Sequence, residues 1–343
     1  MMKVNRESFL SHLESVSPGT TKKEELEQSS CFIFRDGKVF TFNDNVSCQN
    51  KSLLDKSYAG AVVADPLLSI LRKMTVDEVG LNLTESKFTI KGKGERSWVG
   101  MSPNIVLPID SLEVPKKWKT VHEDFIEAIN VVQRTASNSP ASPFCFKCIQ
   151  ISPKFIEATD NFQMCRWTLD TGIQQKILVR KEDIKHITTL GINQFSEGES
   201  WLHFRNSNGL IYSCRRYLEE FPDLSPYLVE EGEKAILPKS LIQAVEKASV
   251  FTSEEGESNY VKVELSSGKV RVLGQGASGG YKKTSKIDYD GKEVSFIIAP
   301  KLFTELLKRY SECLISEFKI VVVSGNYFYL TCLNKPGGPN DGD

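Results

Sequence analysis

Cys145 and Cys148 form the one C-x-x-C pair of this 343-residue chain. Such a pair exchanges disulfides when it opens a helix, because the helix dipole lowers the thiol pKa. Here it lies in FCFKCIQI, whose period-two pattern predicts a strand. Zinc would need a second ligand pair, and the sequence offers none at the right spacing. The eight cysteines are spread along the chain, mostly among apolar residues, and read as buried thiols of a reducing cytoplasm. Gly274, Gly276 and Gly279 match G-x-G-x-x-G, which cradles a pyrophosphate only where it leads into a helix. The polar run YKKTSKIDYDGKE follows instead, so the glycines read as a flexible hairpin loop. His12, His122, His186 and His203 are scattered, without the serine and carboxylate neighbours of a triad. Asp160 sits in a turn signature, where its carboxylate bonds its own backbone. No catalytic constellation emerges, and neither an enzyme nor a cofactor or metal site is expected.

The composition fits a folded chain. Lys and Arg number 43 against 44 Asp and Glu, 40% of residues are hydrophobic and 25% charged. Wholesale disorder is excluded by that balance. No apolar run reaches the ~20 residues of a spanning helix, and the N-terminus lacks a signal-peptide core, so neither a membrane nor secretion is expected. A net charge of −1 leaves room for local basic surfaces.

The elements that would position such surfaces repeat. Phe9, Phe125 and Leu241 head three similar amphipathic helical stripes, spaced by 116 residues each time. A short β run leading into a second helix recurs as AVVADPLLSILRKM, KILVRKEDIKHITTL and SFIIAPKLFTELLKRY. Strand pairs fill the intervals, with turns at Asp36-Gly37, Glu85-Ser86, Asn208-Gly209, Ser267-Gly268 and Gly325-Asn326. Proline-punctuated crossovers, 102–119 and 215–239, join the units. The reading is α+β, three tandem copies of one domain at 1–117, 118–233 and 234–333, with a disordered tail at 334–343.

Three motifs then resemble the bacterial and phage sliding clamp family, the β subunit of DNA polymerase III. ATDNFQM (158–164) looks like the family's A-T-D-G-H-R-L turn, and EEFPDL (219–224) looks like its R-F-P-D-Y segment. ILVRKEDIKHITTL resembles the stretch that holds V-P-R-K. The resemblance covers Val4 to about Leu333. It implies a ring of two head-to-tail subunits, a homodimer with helices lining a hole and sheets outside. It implies a processivity factor that encircles duplex DNA without base specificity and tethers a polymerase. The alternative is a clamp-fold adaptor that binds proteins without encircling DNA.

Residues carry over by position. Lys22, Lys23, Arg72, Lys73, Arg180, Lys181, Lys185, Lys301, Lys308 and Arg309 would face DNA, or would simply be solvated helix ends. The first helices sum to −2 and the second helices to +4, so the second set would supply most of the field. A pocket for short linear motifs of a polymerase and clamp loader would use Thr159, Asn161, Phe162, Gln163, Met164, Phe221 and Pro222. Tyr329, Leu330 and Cys332 would form its wall. Phe162 and Met164 read equally as core residues, and Asn161, Phe162 and Gln163 replace the family's Gly-His-Arg. Val250 and Phe251 would lie at the subunit interface, or in the core.

Overall fold

A computed structural model describes residues 2–252 and 260–335. The first third runs β1 (Met2–Asn5), α1 (Arg6–Val16), β2 (Cys31–Arg35), β3 (Lys38–Phe42), β4 (Val46–Lys51), β5 (Gly60–Val63), α2 (Ala64–Lys73), β6 (Glu78–Leu83), β7 (Lys87–Lys91) and β8 (Arg96–Ser102). The order then repeats as β9 (Lys119–Thr120), α3 (Phe125–Val132), β10 (Cys148–Ile151), β11 (Phe155–Thr159), β12 (Gln163–Thr168), β13 (Ile177–Arg180), α4 (Lys181–Ile184), β14 (Ile192–Glu197), β15 (Trp201–Asn206) and β16 (Ile211–Arg215). It recurs as β17 (Glu233–Ile236), α5 (Leu241–Ser249), β18 (Val261–Ser266), β19 (Lys269–Gly276), β20 (Gly279–Lys286), β21 (Val294–Ile298), α6 (Pro300–Arg309), β22 (Glu312–Ile315), β23 (Lys319–Ser324) and β24 (Tyr327–Cys332).

By compactness the chain divides into two units. The first holds residues to 134, 138–156 and 169–221; the second holds 135–137, 157–168 and the remainder from 222. In the first unit twelve strands form one sheet, ordered β1-β6-β7-β8-β5-β2-β3-β4-β16-β15-β14-β9. In the second, β12-β24-β23-β22-β17 run side by side, and β20-β19-β18-β21 form a separate sheet.

Local chemistry accounts for the elements. Asn5 caps α1 by accepting from the Ser8 amide at 2.9 Å. Phe9, Leu13 and Val16 form its buried stripe. Asp36 and Gly37 both take positive φ, 53° and 71°, as a tight two-residue hairpin requires. Buried Gln28 ties down the first crossover by donating to the Asn104 carbonyl at 2.6 Å and accepting from the Val106 amide at 2.9 Å. Leu107 and Ile109 of that crossover then pack with Cys31, Ile33, Phe40, Phe42, Ala61 and Trp201.

Four of the expected elements differ in the structure. The C-x-x-C is no strand: Phe144–Lys147 is a 3-10 turn led by Pro143, and only Cys148 enters β10. The second helix of the middle repeat stops at Ile184 and continues as a 3-10 turn over Lys185–Thr188. Thr188 and Thr189 bond back to the carbonyls of Lys185 and His186, competing with the helix ladder. The first part of the polar run after Gly279 is a strand, β20, which ends at Lys286 and pairs along its length with β19. Asn334, assigned to the tail, bridges Ile297, and Lys335 pairs with Glu317 at 3.1 Å; residues 336–343 lie outside the described residues. No helix among the described residues is long and apolar enough to cross a membrane.

Candidate nucleic-acid and partner surfaces

The helices pack in pairs, and the expected basic residues sit on them unequally. In the first unit, Arg72 reaches across from α2 to Glu14 of α1 at 2.9 Å. Lys73, Lys22 and Lys23 are exposed and form no ion pair among the described residues. Beside α3, Lys181 is a correction: it is buried, with its ammonium donating to Asn138 Oδ1 at 2.6 Å, and cannot face a ligand. Arg180 lies 3.7 Å from Asp183, and Lys185 pairs with Glu182. Burial lifts the Asp183 carboxyl to about 6, and its Oδ2 accepts no hydrogen bond. In the second unit, Lys308 and Arg309 both lie 3.3 Å from Glu305, while Lys301 is exposed at the start of α6. An open groove of about 550 Å³ runs between α5 and α6, lined by Glu246, Lys301, Glu305 and Lys308 among others. Lys22, Lys23, Lys73 and Lys301 therefore hold the uncompensated charge of the expected set.

Most of the expected partner-pocket residues meet within the second unit. Asp160 Oδ1 accepts from the amides of Phe162 and Gln163 at 3.0 and 2.9 Å, an Asx turn. Asn161 sits at φ 80°, the left-handed region that asparagine tolerates better than most residues. That turn throws the Phe162 ring outward, 66% exposed. Thr159 Oγ1 donates to the Gln163 carbonyl at 2.7 Å, closing the turn. Gln163 Oε1 accepts from the Tyr329 hydroxyl at 2.8 Å, and Met164 pairs with Leu330 across β12 and β24. Met164, Tyr329 and Leu330 are buried as core. Cys332 is exposed, and its amide donates to the Phe162 carbonyl at 2.8 Å. Pro222 is exposed in the same unit, whereas Phe221 belongs to the first unit.

Two neighbours escaped the sequence reading. The Leu333 amide donates to the Phe318 carbonyl at 2.7 Å, which sets the 59%-exposed Phe318 ring on the other side of the β24 end from Phe162. Its only signal was an apolar residue between charged ones in SEFK. Beneath the turn, Arg166 and Glu157 form a buried pair, Nε to Oε2 at 2.7 Å. Arg166 also reaches Ser225 Oγ at 3.4 Å.

The remaining chemical candidates are quiet. All eight cysteines are free, and six are buried. Burial raises the Cys148 thiol to about 12, so it stays protonated. His203 does meet a serine, Ser213 Oγ, at 2.8 Å, but both are buried, and burial lowers its imidazole to about 4. Gly274 lies in β19 because a Cβ there would fall 2.1 Å from the Ala248 carbonyl oxygen at the end of α5. Gly274 thus serves helix packing. Val250 is 66% exposed just past α5, and Phe251 is half-buried with its ring near Gly279.

Inter-repeat strand pairing is the most regular feature. In the first unit β4 pairs with β16, Val46 opposite Cys214 and Gln49 opposite Ile211. In the second, β12 pairs with β24, Gln163 opposite Thr331 and Arg166 opposite Phe328. Adding 117 to both partners of the first ladder yields the second.

No protein-family model matches the sequence, and no curated protein does. Solved structures match its fold. A DNA polymerase III β subunit, a sliding clamp from Pseudomonas aeruginosa solved with griselimycin bound, superposes with a TM-score of 0.82 at 13% identity, over 98% of this chain and 99% of that one. The β subunit of DNA polymerase III from Thermotoga maritima also gives 0.82, at 14% identity, over 98% and 99%. The chain therefore has the fold of these sliding clamps along nearly its whole length.

Proposed function

We propose that this protein is a DNA sliding clamp, a non-catalytic processivity factor that encircles duplex DNA and tethers a replicative polymerase. The observation that carries this reading is fold likeness over the full length of both chains, at a TM-score of 0.82. A partial likeness would have left an adaptor reading equally open; whole-length likeness to sliding clamps favours the clamp.

Several features of the geometry support the parts of this reading. The chain is three repeats of one domain. β4 with β16 and β12 with β24 are two joints of one kind. The positions left over are β20 and β8. Among the described residues β20 ends its sheet with one edge unpaired, and β8 meets β5 only at Met101 and Ser102. A second copy supplies the missing partner for each, which makes a homodimeric ring and removes two open edges. Val250 and Phe251 lie near β20 at that joint. Helix pairs face the hole, where Lys22, Lys23, Lys73 and Lys301 make loose phosphate contacts and Arg72, Arg180, Lys185, Lys308 and Arg309 contribute a field softened by their acids. Phe162, Phe318 and Cys332 form the exposed rim at which a short linear motif of a polymerase or clamp loader docks, in the cytoplasm.

Topological linkage is the test. Loaded on a nicked circle, the protein should stay bound and then leave rapidly once the circle is linearised. Equal departure from circles and linear DNA would remove the clamp function.

A further inference from the structure

One sheet differs from its counterparts in what covers it. The face of β2, β3 and β5 turned away from α1 is apolar and lies beneath the first crossover, with Ile33, Phe40 and Phe42 against Leu107 and Ile109. The corresponding face near β12 holds the Glu157–Arg166 pair, met by Ser225 of the second crossover. No described residue plays that part over β18, β19 and β20. Their strands alternate strictly: Val261, Val263, Leu265, Val270 and Val272 are buried on the α5 side. The opposite face of these three strands carries Lys262, Lys269, Arg271, Lys282 and Lys286 against one carboxylate, Glu264. Glu264 is shared by Lys262 at 3.0 Å and Arg271 at 2.8 Å. Glu293, just before β21, lines the same shallow hollow as Lys269, Arg271 and Glu264 and is a second acid beside these cations. Lys269, Lys282 and Lys286 are exposed with no ion pair among the described residues.

We propose that this bare, basic sheet face is a second binding surface for the phosphate backbone of duplex DNA, separate from the helix-lined surface. Its chemistry selects that occupant. Among the described residues Tyr260, just before β18, is the one aromatic in register with this face, short of the series of rings on which successive unpaired bases stack, which disfavours single strands. It has no large exposed apolar anchor of the kind that dominates protein interfaces or inserts into lipid. What remains is a rigid array of cations, about 7 Å apart between alternate residues of a strand and about 5 Å between strands. Such an array holds phosphates without reading sequence. The proposal concerns the second unit alone and stands whether or not the ring closes.

The test uses the full-length protein and a short fluorescent duplex blocked at both ends by streptavidin, which cannot thread a closed ring. Lys269→Glu, Lys282→Glu and Lys286→Glu together should weaken binding at least about tenfold at low salt and lower the slope of log affinity against log salt by about three. The triple Lys→Gln variant, which spares the sheet any new charge, should fall in between. The same reversal at Lys38, Lys51 and Lys56, exposed in the first unit, controls for net charge and should leave binding near wild type. Wild-type affinity in both sheet-face triples overturns the proposal, and so does equal competition by polyglutamate. Loss of circle retention with blocked-duplex binding intact would instead fell the clamp reading and leave this surface standing.

Discussion

Asp183 is the residue where burial and charge are least reconciled. Its carboxyl sits at about 6, raised by desolvation, with Arg180 only partly offsetting the burial. A raised carboxylate pKa means the native state holds the proton more tightly than the unfolded chain. This group's contribution therefore favours the fold at low pH and is lost as pH rises from about 4 through about 6. Asp183→Asn should be close to neutral at pH 4 and stabilising by about 1–3 kcal/mol at pH 7. Urea denaturation at the two pH values measures the difference; an equal effect at both would refute the assignment. Little of this was legible in the sequence. Asp183 and Lys181 look like solvated positions in RKEDIKH, yet both are buried, Lys181 against Asn138 and Asp183 near Arg180. The turn at Asp160 was legible, because the Asx turn is local chemistry.

At the scale of elements, hydrophobic period identified the three first helices and the stronger hairpins, since each is fixed by nearby residues. It missed β20, whose residues are polar because one face of that sheet is uncovered. It also could not see that Gly274 of the Gly-rich motif answers to α5. Gly274→Ala should force the Ala248 carbonyl aside and cost about 1–3 kcal/mol. Gly100→Ala, where nothing lies within 4 Å of the added methyl, should cost far less. Melting temperatures of the two variants compare them directly; equal shifts would mean the close approach is relaxed at no expense.

For the whole molecule, the threefold recurrence of the element order was legible because helices and turns recur at nearly constant spacing. The constant offset of 117 between the ladders was not, since pairing partners lie about 168 residues apart in sequence. Homodimer closure predicts a sedimenting mass twice the 38.5 kDa of the chain at micromolar concentration. Val250→Glu, at an exposed position, should shift that mass to the monomer while leaving the circular dichroism spectrum unchanged. A wild-type monomer at all concentrations would count against the ring.

The distribution of thiols makes the molecule its own clock. Cys31, Cys48, Cys148 and Cys214 are sealed in the first unit, and Cys165 and Cys313 in the second. Cys332 is the one exposed thiol among the described residues, although burial of part of its side chain and the nearby Asp160 carboxylate raise its pKa. An alkylating reagent under native conditions would mark Cys332 first and then tag each sealed sulfur only as fast as its own neighbourhood opens. Mass spectrometry of timed samples would thus rank the breathing of the two units without any added label.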